Sequence, residues 1–246
     1  MGRRPRIPDA VLAHAVGPVI PAVVSRLRSR LIVSCQAPPG SPLRHPATIA
    51  ALAQCAEQGG AGGVRIDGPD NVAAVRRVVA VPIIGIYKIT GPSPVYITPT
   101  FEAARDIARA GADIVAVQAT RERDGAGPPL LDLIARIHAD CGIAVMADIS
   151  TLDEGLGAAA AGADLVATTM AGYTPHSRRI PGPDLDLVRH LAGRSPVPVV
   201  AEGRITTPEE AASALSAGAW AVVVGRAITM PEAITARFVD ALGGRR

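Results

Sequence analysis

The segments RAGADIV (109–115), AAGADLV (160–166) and SAGAWAV (216–222) decide the fold of this 246-residue chain. In each segment an alanine-rich helical stretch meets a glycine, and a short apolar run follows within about two residues, the usual length of a helix-to-strand loop. Glycine readily adopts the left-handed backbone conformation that ends many helices. Each segment therefore predicts a helix end, a tight turn and a strand start, and the three recur at a spacing of about 50 residues as a weak internal repeat.

The same alternation of strand, turn and helix extends along the chain in both directions. The predicted strands cover 31–35, 63–66, 82–87, 113–117, 143–147, 164–167, 198–201 and 220–224. The predicted helices cover 46–58, 71–79, 101–109, 130–140, 152–160, 184–191, 208–216 and 231–242. Thr100, Thr151 and Thr207 each precede a helix with acidic residues in its first turn, which is typical of N-cap hydroxyls.

Eight strand–helix units predict the α/β class and one (β/α)8 barrel, the TIM barrel, over residues 31–246. Residues 1–30 are predicted to form an N-terminal arm or helix. An open doubly wound sheet is the alternative architecture, but no G-x-G-x-x-G motif follows the first predicted strand. We therefore expect a single catalytic domain with chemistry at the C-terminal strand ends.

Composition and charge exclude several classes of partner. Aromatic residues make up only 2% of the chain, and part of the net charge of +3 comes from arginines at the two ends, so no nucleic-acid partner is expected. The apolar stretch 10–24 is broken by Gly17, Pro18 and Pro21 and is too short to span a bilayer, so we expect no membrane partner and a cytoplasmic location. The cysteines are predicted to be reduced core residues; they are Cys35, Cys55 and Cys141.

Lys88 is the only lysine, whereas the other 24 of the 25 Lys and Arg residues are arginine. It follows the apolar run 82–86 at the end of the third predicted strand. Lysine can lose its proton when its surroundings disfavour the charge, and arginine in practice cannot. A solvated surface lysine is the simpler interpretation, but the position of Lys88 at a strand end of the predicted barrel favours a chemical role.

Polar side chains follow all eight predicted strands and are expected to face the barrel mouth. Lys88, Asp148 and Glu202 follow strands three, five and seven, whose inward side chains share one layer, so we expect them to converge. A lysine flanked by carboxylates can act as a Schiff-base nucleophile, a general base or an electrostatic stabiliser of an enolate. The other predicted rim residues are Gln36, Arg65, Asp67, Gln118, Thr120, Arg121, Arg123, Ser150, Thr168, Thr169, Tyr173, Gly203, Arg204, Gly225 and Arg226.

Two glycines mark a predicted phosphate site. Gly203 follows strand seven and Gly225 follows strand eight, where barrels of this class commonly bind phosphate on backbone N–H groups. Arg204 and Arg226 can neutralise the anion. Tight turns without ligand contacts are the alternative interpretation of both glycines. The five histidines fall on the arm, helices and loops, so no metal site is expected.

Several stretches together resemble the N-acetylmannosamine-6-phosphate 2-epimerase family, in order from about residue 31 to residue 242. They are LIVSCQAPPGSPL (31–43), GGAGGVRIDG (59–68), PIIGIYK (82–88) with VYITPT (95–100), VMADIST (145–151), TTMAGYT (168–174), AEGRITTPEEA (201–211) and VVVGRAIT (222–229). The resemblance implies interconversion of N-acetylmannosamine 6-phosphate and N-acetylglucosamine 6-phosphate, a step of sialic-acid breakdown, with neither a metal nor an organic cofactor.

The resemblance also implies roles for individual residues. Lys88 matches the family's catalytic lysine, which moves the C2 proton, and Glu202 matches its glutamate partner, which assists ring opening or enolate protonation. Matches to substrate-contacting positions are Gln36, Arg65 and Asp148, and the expected phosphate positions are Gly203, Arg204, Gly225 and Arg226. Thr169 and the loop residue Tyr173 are expected to contact the phosphosugar as well. For Lys88 to act as a base, desolvation or the neighbouring Arg65 must lower its pKa.

Three departures from the family's usual pattern bear on rate and on preference for the N-acetyl group. They are Gln118 in place of an acidic residue, the uncharged loop 89–94, and Asp67. Two alternative functions stay open: a Schiff-base aldolase or synthase that uses Lys88 as its nucleophile, and a phosphosugar-binding protein without turnover. The sequence also leaves the oligomeric state open, with a homodimer as one option.

Overall fold

The computed structural model of the chain describes residues 20–244 and shows a closed barrel of eight parallel strands in chain order. The barrel closes where β1 pairs with β8. The strands are β1 (Leu31–Cys35), β2 (Gly63–Asp67), β3 (Ile83–Ile86), β4 (Ile114–Gln118), β5 (Ala144–Asp148), β6 (Leu165–Ala167), β7 (Val199–Glu202) and β8 (Ala221–Val224). The predicted (β/α)8 barrel is confirmed, and the predicted strand bounds differ by at most one residue at either end.

All eight predicted helices are present. The helices are α1 (Ala22–Ser25), α2 (Pro46–Gln58), α3 (Pro69–Arg76), α4 (Phe101–Arg109), α5 (Leu130–Cys141), α6 (Leu152–Ala160), α7 (Leu185–Ala192), α8 (Pro208–Ser216), α9 (Arg226–Thr229) and α10 (Pro231–Ala241). The prediction for α3 was displaced, because Gly68 and Pro69 start this helix earlier than its apolar pattern indicates. Short 3-10 turns at Arg121–Arg123 and Thr168–Met170, and the one-turn helix α9, were not predicted.

Local sequence signals set the helix ends as expected. Thr151 and Thr207 each form a capping box, in which the hydroxyl accepts from the backbone N–H of Glu154 or Glu210 and the glutamate carboxylate accepts from the backbone N–H of the threonine. Thr100 caps α4 through the N–H of Ala103 at 3.3 Å. The glycines of the three opening segments have the predicted positive φ; they are Gly111 (103°), Gly162 (96°) and Gly218 (102°).

Alternation along the strands divides the core into an inner and an outer part. Inward side chains such as Ile84, Ile114 and Met146 fill the barrel. Outward side chains such as Val115 and Val145 pack beneath the helices. Because the inward set continues past each strand end with the same parity, it determines which polar residues face the mouth.

The N-terminal end of the barrel is closed by residues 20–30. Val24 and Leu27 are fully buried in the inner core, and Leu27 packs against Gly63 at the start of β2. The indole N–H of Trp220 donates to the carbonyl of Val24 at 3.0 Å, and Arg28 lies over the indole ring. This part of the predicted arm is therefore a plug for the barrel, and the rest of it, residues 1–19, lies outside the described residues.

The prediction for the cysteines was wrong in part. All three thiols are free, but only Cys35 is buried in the core, where burial raises its pKa to about 12. Cys55 is exposed on α2, and Cys141 is half-buried at the end of α5, where it packs against the edge of the core. None of the helices within residues 20–244 has the length and apolar character needed to cross a bilayer.

Candidate active site

A cavity of about 780 Å³ opens at the C-terminal ends of the strands. Ten of the eleven predicted site residues line it; these are Gln36, Arg65, Lys88, Thr169, Tyr173, Glu202, Gly203, Arg204, Gly225 and Arg226. Asp148 is fully buried and does not line the cavity. The structure therefore places Asp148 behind the residues that face the cavity, and a direct contact with substrate stays a prediction.

Arg65 lies at the centre of the buried polar cluster. Its guanidinium binds Asp148 through two bonds, from Nη1 to Oδ1 at 3.1 Å and from Nη2 to Oδ2 at 2.5 Å. Nη1 also donates to Glu202. The Thr169 hydroxyl lies 2.6 Å from Asp148 Oδ1 and 3.1 Å from Glu202 Oε2. The sequence of β2 explains the position, because Arg65 has the inward parity and lies one layer below the mouth.

This cluster contains two carboxyl groups and one permanent cation. Burial opposes the charge on Arg65, but Asp148 and Glu202 more than offset that effect and hold the pKa of Arg65 above its usual range. Burial raises the pKa of Glu202, and the negative charge of Asp148 adds to the effect although Arg65 opposes it. Glu202 can therefore carry a proton nearer to neutral pH than an ordinary glutamate.

Lys88 stands two residues beyond β3 and projects into the same cavity. Its Nζ donates to Gln36 Oε1 at 2.6 Å, and its backbone N–H donates to Asp67 Oδ1 at 2.9 Å. The residue is exposed toward the mouth, yet desolvation by the cavity wall lowers the pKa of Lys88. The charge of Arg65 lowers it too, whereas the carboxylates of Asp67, Glu202 and Asp148 oppose the shift. The expected direction of the shift is thus present.

The expected convergence of Lys88, Asp148 and Glu202 takes a particular form. Asp148 and Glu202 meet at the guanidinium of Arg65, which comes from an even-numbered strand, whereas Lys88 forms its side-chain hydrogen bond with Gln36. Lys88 therefore interacts with the two carboxylates electrostatically and forms no side-chain hydrogen bond with them. Parity alone predicts the shared layer but not that Arg65 stands between the carboxyl groups.

The loops after β7 and β8 have the backbone form that a phosphate site needs. Gly203 has φ 107° and Arg204 has φ 56°, so two successive residues are left-handed. The backbone at Gly225 lies so close to β1 that a Cβ there would stand 3.2 Å from the Cβ of Ser34. Backbone N–H groups in such turns can approach an anion closely.

The two arginines of these loops differ in what they can bind. Arg204 donates from Nε to the carbonyl of Gly182 at 2.7 Å and from Nη1 to that of Ala171, so its side chain holds two loops together. Arg226 lines the cavity, and its guanidinium has no protein acceptor among residues 20–244. Of the two predicted anion partners, Arg226 is the one whose guanidinium is available.

Not every predicted rim residue faces the mouth. Thr120, Arg121 and Arg123 line a smaller cavity of about 490 Å³ beside α5 and α6. Arg123 is buried and donates to the carbonyls of Gln118 and Pro99. The expectation that these three side chains point into the barrel mouth was wrong, because the chain leaves the barrel wall in a 3-10 turn directly after β4.

Residues that the sequence did not single out also line the cavity, among them Ser34, Tyr96 and Met170. Ser34 has the same inward parity as Gln36. It belongs to no sequence motif that indicates a site, so only the strand register identifies it. The Tyr96 hydroxyl lies 3.7 Å from Met170 Sδ, and burial raises the pKa of Tyr96. Tyr96 lies in an irregular segment, for which strand periodicity gives no signal.

A family model described as "NanE: Putative N-acetylmannosamine-6-phosphate epimerase" matches residues 49–244, which is most of the chain. The chain belongs to this family. The resemblance seen in the sequence motifs is thereby confirmed.

Individual relatives agree with the family match. Proteins from Cutibacterium acnes and Thermosynechococcus vestitus, both described as "Putative N-acetylmannosamine-6-phosphate 2-epimerase", are 46% and 49% identical over 222 residues. Each alignment covers 89% of this chain and 96% of the relative. The N-acetylmannosamine-6-phosphate 2-epimerase structure from Clostridium perfringens is 40% identical, with a TM-score of 0.85 over 89% of this chain and 95% of that one.

More distant structures share the barrel alone. Thiamine phosphate pyrophosphorylase from Pyrococcus furiosus superposes with a TM-score of 0.59 at 16% identity, over 90% of this chain and all of that one. Such a likeness supports the fold and carries no inference about chemistry.

Proposed function

We propose that this protein interconverts N-acetylmannosamine 6-phosphate and N-acetylglucosamine 6-phosphate, the reaction of an N-acylglucosamine-6-phosphate 2-epimerase. The observation that carries the proposal is the placement of Lys88, the only lysine, in one cavity with Arg65 and Glu202, to which the buried Asp148 is joined through Arg65. Family membership and the relatives' descriptions support the same reaction. We also propose that it acts in the cytoplasm, where three free thiols stay reduced.

Lys88 acts as the general base. In the open-chain sugar the C2–H bond is adjacent to the C1 aldehyde, so the electrons left behind by the proton move to the C1 oxygen and form an enolate. A neutral amine is required to accept the proton, and the lowered pKa of Lys88 increases the neutral fraction at a given pH. The Gln36 oxygen accepts a hydrogen bond from Nζ at 2.6 Å and thereby orients the amine.

Arg65 stabilises the negative charge of the enolate, and Glu202 supplies the second proton. The fixed guanidinium supplies positive potential to the cavity, where low dielectric strengthens stabilisation of an enolate. The raised pKa of Glu202 lets this carboxyl group take up a proton more readily than an ordinary glutamate and then donate it to the ring oxygen on opening or to the enolate. Return of a proton to the opposite face of C2 completes the epimerisation, and no electrons are gained or lost.

The phosphate is assigned to the loops after β7 and β8. The left-handed turn at Gly203 and Arg204, together with the close approach at Gly225, presents backbone N–H groups, and Arg226 supplies the charge. Holding the phosphate fixes the far end of the sugar, so that C2 lies within reach of Lys88.

Solvent exchange tests this function directly. Either sugar phosphate is incubated with the protein in D2O and C2 is followed by NMR, with Lys88→Ala and Glu202→Ala as controls. We expect deuterium at C2 and formation of the other epimer with the intact protein, and a large loss of both in Lys88→Ala. Binding without exchange at C2 would overturn the proposal in favour of a phosphosugar-binding protein.

The Schiff-base alternative uses the same lowered pKa of Lys88 but a different bond. An amine nucleophile forms an imine with a substrate carbonyl, and borohydride reduces that imine to a stable secondary amine. Mass spectrometry after borohydride treatment therefore separates the two chemistries. An epimerase that works by proton transfer leaves the mass of the protein unchanged, whereas trapped substrate on Lys88 would indicate an aldolase or a synthase.

A further inference from the structure

We propose that Gln118 is the positioning residue for Lys88, holding the hairpin that carries the lysine against β4. The inference rests on the proposed function for its kinetic consequences, although the geometry is independent of the substrate. Gln118 is the last residue of β4 and has the inward parity, yet it is 1% exposed and does not line the cavity. Its side chain therefore acts through protein contacts rather than through contact with the sugar.

Lys88 lies on the outgoing arm of this hairpin, residues 87–98. Lys88 forms an antiparallel bridge with Ile97 on the returning arm. The N–H of Ile89 donates to the carbonyl of Tyr96, and the N–H of Thr98 donates to that of Tyr87, each at 2.9 Å. The position of the lysine backbone is thus set by the position of the returning arm.

Gln118 binds that returning arm through both ends of its amide. Oε1 accepts from the N–H of Tyr96 at 3.0 Å and lies 3.5 Å from the N of Ile97. Nε2 donates to the carbonyl of Pro94 at 3.2 Å and to the Thr120 hydroxyl at 2.9 Å. A side-chain amide offers two acceptor sites and two donors, so Gln118 commits its whole hydrogen-bonding capacity here.

The backbone of Gln118 adds a third attachment to the hairpin. Its N–H donates to the carbonyl of Ile97 at 3.0 Å, directly opposite the bridge to Lys88. Its carbonyl accepts from Nε of the buried Arg123 at 2.7 Å, and Arg123 also donates to the carbonyl of Pro99, just beyond the hairpin. The returning arm is therefore fixed to the end of β4, and the outgoing arm is held to it by the hydrogen bonds of the hairpin.

The hairpin also contains a strained residue that its surroundings must hold in place. Thr98 has φ 46°, in the left-handed region that β-branched residues rarely adopt. Such conformations persist where surrounding contacts over-determine them. Thr98 is fully buried, and its hydroxyl accepts from the N–H of Tyr87, the residue before Lys88. If the hydrogen bonds from Gln118 to the returning arm were lost, the backbone at Thr98 would be free to relax, and Lys88 would move with it.

Two substitutions at Gln118 separate shape from hydrogen bonding. Gln118→Met keeps the side chain's length and removes its hydrogen bonds, whereas Gln118→Glu keeps an acceptor for Tyr96 and adds a negative charge. Thr120→Val is the matched control, because it removes one partner of Gln118 and leaves the contacts to the hairpin. The measurements are kcat and KM for epimerisation against pH, the melting temperature, and the titration of Lys88 by NMR with 13C-labelled lysine.

Gln118→Met is expected to lower kcat by about 10²-fold at every pH with little change in KM, because a small displacement of a catalytic group is costly. The pKa of Lys88 should rise toward its ordinary value in that variant. Gln118→Glu should move the ascending limb of kcat/KM to higher pH, with much of kcat recovered above it, because the added carboxylate favours the protonated amine. Thr120→Val should resemble the intact protein.

Two kinetic results would overturn the assignment. They are wild-type kcat with an unchanged Lys88 titration in Gln118→Met, and an equal loss of kcat in Thr120→Val. A higher KM at constant kcat in Gln118→Met would equally contradict it by indicating a contact with substrate. If Gln118→Met does not fold, the pH dependence of kcat/KM and the Lys88 titration in Gln118→Glu are the test. The titration needs no turnover, so the positioning role of Gln118 is tested even if the intact protein shows no exchange at C2.

Discussion

The two ends of this barrel are built from the same eight strands and carry opposite chemistry. At the N-terminal end, Val24 and Leu27 extend the inner core and bring no charge into it. At the C-terminal end, Arg65 and Asp148 form a fully buried ion pair that also includes Glu202. Burial of apolar side chains stabilises the fold, whereas buried charges incur a desolvation cost that their partners only offset. The comparison indicates that one end maintains the structure and the other end is organised for chemistry.

Within the charged end, the two basic groups are held in different ways. Arg65 has three side-chain partners and a pKa raised above its usual range, so it is a fixed charge. Lys88 has one side-chain acceptor and a lowered pKa, so it is the group able to exchange a proton. The chain uses arginine at 24 positions and lysine at this one, which agrees with that division of roles.

The largest expected effect is on catalysis by Lys88→Met. General-base catalysis contributes about 10²- to 10⁴-fold, so kcat should fall by that order while the melting temperature stays near that of the intact protein. Lys88→Arg is the matched control, since it keeps the positive charge but cannot release a proton. Substantial activity in Lys88→Arg would contradict the assignment of a base and favour a purely electrostatic role.

The next effect is on stability in Arg65→Met. Removal of one partner leaves Asp148 and Glu202 buried without their cation, which typically costs about 3–5 kcal/mol. Urea unfolding measures the free energy, and Arg189→Met is the control because its pair with Asp186 is exposed and is expected to contribute little to stability. Similar losses in both variants would show that the buried cluster is no more costly to break than a surface pair.

Leu27→Ala tests the opposite end of the barrel. Truncation of a buried leucine costs about 2–5 kcal/mol, part of it from the cavity left behind. We expect a lower free energy of unfolding with kcat unchanged at temperatures where the variant is folded. Leu242→Ala, at an 87% exposed position, serves as the control. A large loss of kcat in folded Leu27→Ala would show that the two ends are coupled rather than separate in function.

The smallest effect is expected for Trp220→Phe. This change removes the hydrogen bond from the indole N–H to the carbonyl of Val24 and leaves that carbonyl without this donor, at a cost of about 1 kcal/mol. Thermal unfolding and kcat together measure the outcome. A melting temperature equal to that of the intact protein would mean that the indole contributes little to the attachment of residues 20–30.

The sequence was sufficient for the barrel and for ten residues of the cavity wall. Glycine helix ends, threonine caps and apolar alternation are local signals, so the strands were located within one residue. Lys88 and Glu202 were predicted because a barrel places strand ends at its mouth. The contacts among them were not predictable, since the pairing of Arg65 with both carboxyl groups depends on side chains from β2, β5 and β7 in three dimensions.

Irregular segments account for what the sequence analysis missed. Arg123 follows β4 as Lys88 follows β3, yet a 3-10 turn buries Arg123 beneath the hairpin that carries Lys88. Gln118 was predicted to face the barrel mouth and was noted as a departure from a family pattern, whereas it is buried and its amide binds the returning arm of that hairpin. No periodicity describes such loops, because their course is determined by tertiary hydrogen bonds.

The most direct test compares two pKa values for one group. Because Lys88 is the only lysine, protein labelled with 13C-lysine gives a single side-chain signal whose titration reports its pKa without assignment. The account predicts a value below the ordinary lysine range, equal to the pKa of the ascending limb of kcat/KM, because the base must be neutral to accept the C2 proton. A Lys88 pKa at or above its ordinary value, with an ascending limb far below it, would contradict the role of Lys88 as the base.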